Sequence, residues 1–90
     1  GNQLTEVIIK VENTVSHYFL RRNLLPNQKL VHKLDDGGLL LSCENVNEQE
    51  IIPLVQYWVP YLVVISPIEV QLKLEDKLKQ YLTNSTLSIK

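Results

Sequence analysis

The first part of the chain alternates between apolar and polar residues with a period of two. The alternation spans residues 5–12 and places three aliphatic side chains on one face: Val7, Ile9 and Val11. This period is typical of a half-buried strand. Asn13 is predicted to be the N-cap of a helix from Thr14 to Leu24, with Pro26 as its stop. The apolar stripe of that helix consists of Val15, Tyr18, Phe19 and Leu25.

A hairpin is predicted in the middle of the chain. Residues 28–34 alternate weakly, and the run Asp35-Asp36-Gly37-Gly38 follows them. Glycines permit positive φ, so this run predicts a tight turn. The returning strand, residues 39–44, is expected to turn Leu39, Leu41 and Cys43 toward the core.

Two helices and one more strand complete the pattern. Asn47 and Glu50 have the spacing of a capping box, which predicts a helix through about Val59. Its buried side consists of Ile51, Leu54, Val55 and Trp58. The apolar, β-branched run 62–65 predicts a strand. Ser66-Pro67, with Glu69 behind it, then predicts a capped helix from Pro67 to about Thr83, and residues 84–90 are expected to form a flexible tail.

The predicted element order is β-α-β-β-α-β with an additional C-terminal helix. This order predicts an α+β, ferredoxin-like fold with a four-stranded antiparallel sheet, formed by one domain over residues 5–83. Right-handed crossovers place the first two helices on one face of the sheet. The other face is expected to be bare and apolar, and thus an interface. Its predicted interface residues are Ile8, Val31, Leu40 and Val63, with Lys10 beside them.

Composition narrows the classes of protein that the chain can represent. A net charge of −1 argues against non-specific coating of nucleic acid, and one cysteine favours a reducing compartment. No apolar run is long enough to span a bilayer, so no membrane partner is expected. Methionine is absent and the first residue is Gly1, from which we expect a fragment of a longer protein.

Catalytic and metal-binding patterns are weak in this sequence. Cys43 is expected to be an inert buried thiol, and His17 and His32 lack metal-ligand spacing. Asp35 and Asp36 are typical turn residues. We therefore expect no enzyme, no metal and no cofactor. RNA recognition motifs share this topology and carry stacking aromatic residues on the two central strands. This chain has no aromatic residue at those positions, which hold Ile8, Lys10, Leu40 and Ser42.

A modest basic set has two interpretations. The set includes His17 and His32, and its strongest members are Arg21, Arg22, Lys29 and Lys33. It either balances the acidic residues on a solvated face or forms a patch that contacts phosphates.

The order and spacing of these motifs resemble those of a known family over nearly the whole chain. The carrying residues are Pro26 and Gln28, the Asp36-Gly37 turn, Glu50-Ile51, Val64-Ile65 before Pro67, and the last helix through Tyr81. In this arrangement the chain resembles the C-terminal extension (WCX) domain of WYL-domain transcriptional regulators.

The resemblance implies a non-enzymatic regulatory and dimerisation module of a bacterial, cytoplasmic transcription factor. Family members act as homodimers, bind DNA through an N-terminal domain, and carry a central WYL domain. Neither domain is contained in these 90 residues. Some members respond to an effector such as single-stranded nucleic acid, which Arg21, Arg22, Lys29 and Lys33 are expected to contact. The alternative is a free-standing ferredoxin-like sensor of small molecules, using Gly37-Gly38 and residues 45–47.

Overall fold

Seven elements follow one another in the predicted order. The computed structural model describes residues 3–87. The elements are β1 (Thr5–Val11), α1 (Asn13–Arg21), β2 (Gln28–Lys33), β3 (Leu39–Val46), α2 (Glu48–Tyr57), β4 (Leu62–Ser66) and α3 (Ile68–Leu87). All strand pairs are antiparallel, and the strand order is β2-β3-β1-β4. The predicted α+β, ferredoxin-like fold with an additional C-terminal helix is confirmed.

One face of the sheet carries the core. The predicted inward residues of β1 and β3 are all buried there: Val7, Ile9, Val11, Leu39, Leu41 and Cys43. All three helices add side chains to the same cluster, through residues such as Phe19, Ile51 and Leu74. Over residues 3–87, therefore, no helix covers the opposite face of the sheet.

The additional helix α3 packs beside β4 and α2. The Gln71 side chain accepts a hydrogen bond from the backbone N–H of Val64 at 2.9 Å, on the outer edge of β4. Lys73 forms an ion pair with Glu48 of α2. These contacts extend the helical layer past the edge of the sheet, on the core side.

The beginning and end of α1 differ from the prediction. Glu12 occupies the N-cap position, and Asn13 is already helical. The helix ends at Arg21, three residues before the predicted Leu24, because a buried glutamine binds the backbone that follows. The Oε1 atom of this residue, Gln28, accepts from the N–H groups of Leu24 (3.0 Å) and Leu25 (3.2 Å). These donors are thus held outside the helix.

The predicted hairpin between β2 and β3 is present. Gly37 has a φ of +90°, and its N–H donates to the Leu34 carbonyl at 3.0 Å. The Asp36 side chain accepts from the N–H of Gly38 at 2.8 Å. The two glycines therefore serve the turn, as the sequence predicts.

The start of α2 is confirmed, whereas both ends of α3 differ from the prediction. Asn47 caps α2, its Oδ1 atom accepting from the N–H of Gln49 at 2.8 Å. Ser66 belongs to β4 and Pro67 separates it from α3, so Ser66 is not an N-cap. The Val59–Pro60 and Ser66–Pro67 peptide bonds are cis.

The C-terminal end of α3 lies beyond the predicted one. The helix continues past Thr83 through Leu87, while residues 88–90 of the predicted tail lie outside the described residues. The hydroxyls of Ser85 and Thr86 donate to the Leu82 carbonyl, so these residues bond locally without ending the helix. None of the helices in the described part of the chain is both long enough and apolar enough to cross a membrane.

Candidate functional site

The face of the sheet opposite the core, called the open face below, is built from two rows of directly paired residues. Side chains of directly paired residues lie on the same face of a sheet. The first row, from β2 to β4, is Lys29, Ser42, Ile8 and Ser66. The second row is His32, Leu40, Lys10 and Val63. Ile8 is the one apolar residue of the first row, and polar and apolar residues alternate along the second row, so the open face is more polar than predicted.

Polar neighbours partly shield the apolar residues of the open face. Ile8 and Leu40 are half-buried, whereas Val63 is 40% exposed. Ser42 is buried, and its hydroxyl donates to the Glu6 carboxylate at 2.6 Å. The Ser42 hydroxyl is therefore already bonded within its own chain. The apolar side chains around it are the groups that a partner could contact.

Two exposed aliphatic residues lie at irregularities in the sheet. Val31 falls where the β2–β3 register shifts, and it has no directly paired residue on β3. Ile65 falls at the corresponding shift between β1 and β4. Both side chains are about half exposed, at 54% and 48%. Of the four predicted interface residues, Ile8, Leu40 and Val63 therefore occupy the rows of the open face, while Val31 stands at its edge.

The predicted basic set is divided between two surfaces. Arg21 ends α1 and Arg22 caps it, which places both arginines in the helical layer. Lys29 lies on the open face. Lys33 pairs with the inward-facing Leu39, because the shift in β2 reverses the alternation. Lys29 therefore lies on the opposite side of the sheet from Lys33 and from the two arginines of the helical layer.

An aromatic cluster lies beside the two arginines. The Trp58 ring centroid is 4.9 Å from that of Phe19, 5.7 Å from Tyr18 and 5.5 Å from Tyr57. Phe19 is buried, but Tyr18 and Tyr57 are 44% and 79% exposed. Sequence reasoning assigned Tyr18 and Trp58 to the core because they fit its helical stripes. The sequence signal that could have indicated a surface position is the spacing of Tyr18 within one helical turn of Arg21 and Arg22.

The side chains that could carry nucleophilic or metal chemistry are dispersed. Cys43 is buried, and burial raises the pKa of its thiol to about 11. Such a thiol is almost entirely protonated at neutral pH. Among residues 3–87, no three His, Cys, Asp or Glu side chains form a group that could hold a metal ion.

The polar loops proposed for a small-molecule sensor lie far apart. Gly37-Gly38 precede β3, and residues 45–47 lie at its other end. An eight-residue strand is about 26 Å long. Gly37 is moreover close to the Asn13 side chain, which occupies the space above it. These two loops therefore do not line one pocket.

Comparison with known proteins adds no family assignment. No protein-family model and no curated protein matches the chain. The relation to WCX domains rests on the order and spacing of the motifs, and the functions that it implies are proposals.

Proposed function

We propose that this chain is a non-enzymatic regulatory and dimerisation module, the C-terminal extension domain of a bacterial WYL-family transcriptional regulator in the cytoplasm. DNA would be bound by a separate N-terminal domain. The supporting observations are the ferredoxin-like fold, the motif order, and an open face with no helix over it. The open face carries the proposal, because a sheet that is covered on one side only offers its other side to a partner.

Charge favours a second copy of the same chain as that partner. The charged residues in the rows of the open face are Lys10 and Lys29, and the Glu6 carboxylate accepts from Ser42 of the first row. A twofold interface brings the same surface of both subunits together, so the Glu6 carboxylate of one copy can offset the lysines of the other. The apolar contacts would be made by Ile8, Leu40 and Val63.

Sedimentation equilibrium of the chain tests the proposal directly. We expect a concentration-dependent dimer that Ile8→Asp abolishes, because a carboxylate would have to lose its water in the interface. Leu20→Asp is the control, since Leu20 is an exposed aliphatic residue on α1, away from the open face. A dimer that tolerates Ile8→Asp as well as it tolerates Leu20→Asp would refute a role for this face.

A second candidate function is contact with a single-stranded nucleic acid effector. The observation that favours it is exposed Tyr18, which lies within one turn of Arg21 and Arg22 on α1 and shares an aromatic cluster with Tyr57. Proteins that bind single strands combine stacking aromatics with cations for the backbone. In this proposal the helical surface, and not the open face, receives the strand.

Titration of a labelled oligothymidine at several salt concentrations tests this second function. We expect Arg21→Ala/Arg22→Ala to weaken binding and to reduce the slope of log K against log salt by about 1.4, since each phosphate contact contributes about 0.7. Lys10→Ala/Lys29→Ala removes the same charge from the open face and is the control. Equal losses in the two double variants would mean that only net charge matters.

A further inference from the structure

The last turns of α3 extend beyond the core. Leu78 is the last described residue that packs against the core cluster. The segment that follows, residues 79–87, is called the arm below. Tyr81 and Leu82 of the arm are 67% and 62% exposed. They continue the stripe that seals the core earlier in α3, through Val70 and Leu74, so the arm presents an apolar side with no core beneath it.

The composition of the arm does not favour a helix in water. Residues 80–87 carry no charge, so beyond Lys79 the arm lacks the ion pairs that stabilise exposed helices. The run 83–86 is Thr-Asn-Ser-Thr, four residues of low helix propensity. Most helical stability in proteins comes from packing of an apolar side. A surface that covers Tyr81 and Leu82 would supply it.

The arm cannot reach the open face of its own sheet. α3 lies in the helical layer on the core side, and it contains neither proline nor glycine from Ile68 to Leu87 at which it could turn back. The dimensions nevertheless match those of a second open face. Nine helical residues extend about 13 Å, and four strands span about 14 Å.

We infer that the arm of each chain packs across the open face of a second copy, in a twofold exchange. The inference rests on the proposed function, since it identifies what covers the open face. Tyr81 and Leu82 would lie against Leu40 and Val63, and beyond Lys79 the arm carries no charge that would be repelled by Lys10.

The size of this contact predicts a weak dimer. Each arm would bury on the order of 300 Å² of its own surface, and a similar area of the sheet. Two such contacts give on the order of 1,200 Å² in total, at the lower limit of stable interfaces. A dissociation constant in the micromolar range or above is therefore expected.

Disulfide trapping between two variants that each gain one surface cysteine tests the exchange. The 90-residue chain is prepared as Leu82→Cys and, with a tag of different mass, as Val63→Cys. Cys43 stays silent because it is buried. On mild oxidation of an equal mixture, we expect the mixed dimer to form at least about tenfold faster than a mixture of Leu82→Cys with Leu20→Cys.

Each outcome of the trapping experiment decides between specific arrangements. Cross-linking of Val63→Cys only with itself would overturn the exchange while leaving the proposed dimer through the open face intact. Cross-linking of Leu82→Cys only with itself would show that the arms pair with one another, and would also overturn it. Absence of any dimer at concentrations of about 1 mM would overturn both the exchange and the proposed function.

A solution measurement provides an independent second test. Tyr81→Ser/Leu82→Ser removes only exposed side chains, so the urea midpoint of the monomer is expected to stay unchanged. The dissociation constant of the dimer should rise at least about tenfold. An unchanged dissociation constant would overturn the inference.

Discussion

Replacement of Gln28 by leucine is the most informative test of how the fold is held together. This side chain is buried, although it lies at the start of the edge strand β2. Its Oε1 atom accepts from the N–H groups of Leu24 and Leu25, and its Nε2 atom donates to the Phe19 carbonyl at 2.9 Å. One side chain thus satisfies three backbone groups in the segment that joins α1 to β2.

The expected loss of stability follows from these three partners. Leucine has a similar volume and fills the space, so little of the effect comes from a cavity. It leaves two N–H groups and one carbonyl without their partner, and each such loss costs about 1 kcal/mol or more. A total of about 3 kcal/mol is expected. A domain of this size is stable by roughly 5–13 kcal/mol, so a large part of its stability would be lost.

Urea denaturation followed by tryptophan fluorescence measures this loss. Trp58 is the only tryptophan, and it contacts Phe19 of α1. With an m-value of about 1 kcal/mol per molar urea, the midpoint should fall by about 3 M. Gln56→Leu, at an exposed position of α2, is the matched control and should change the midpoint little. A fall of less than about 1 M for Gln28→Leu would refute the assigned role.

Replacement by glutamate separates the acceptor from the donor. In Gln28→Glu the carboxylate still accepts from Leu24 and Leu25, but it cannot donate to the Phe19 carbonyl. Burial and that carbonyl raise the pKa of the new carboxyl in the folded state above its unfolded value. The variant should therefore be most stable below the unfolded pKa of about 4.3, and lose stability as pH rises through the folded pKa. A pH-independent difference from the parent chain would contradict this account.

Three further predictions follow from single contacts. At pH 8 Cys43 should react with a disulfide reagent about a hundredfold more slowly than an ordinary thiol, because burial raises its pKa from 9.0 to about 11. The contribution of the buried thiol to stability, measured by urea denaturation, should be complete below pH 9 and lost as pH rises toward 11. Gly37→Ala should lower the melting temperature by about 5–15 °C, since φ is +90° and the new methyl would lie 2.6 Å from Asn13 Oδ1. Gln71→Leu should speed amide exchange at Val64 about tenfold, because the N–H group of Val64 loses its acceptor. Hydrogen-exchange NMR measures this rate, and an unchanged rate would contradict the prediction.

The elements and the core could be predicted because their signals are local. Alternation fixes the inward side of β1, and the glycine pair fixes the hairpin. The end of α1 could not be predicted, because it depends on a side chain from the next strand: Gln28 binds Leu24 and Leu25 only once β2 is in place. The last turns of α3 were not predicted because their residues have low intrinsic helix propensity, so the local signal favours a tail over a helix.

The candidate surfaces were harder to predict than the fold. The shift in β2 places Lys29 and Lys33 on different sides, and no residue type in that strand signals such a shift. The exposed tyrosines were missed because helical spacing suits a core residue and a surface ring equally well. Which side of a helix is covered depends on its neighbours, and these are set by topology.

Polar residues on the two central strands would limit the strength of the proposed association at the open face. An entirely apolar face would favour a permanent dimer with an interface resembling a domain core. Here Lys10 separates Leu40 from Val63, and Ser42 is bonded to Glu6 of its own chain. A partner would therefore contact only small apolar patches between charged side chains, and a contact of this kind is reversible. Reversibility suits a regulatory module, because an effector can shift an equilibrium only by its differential affinity for two states. An effector of ordinary affinity could shift the monomer–dimer equilibrium of such a weak dimer.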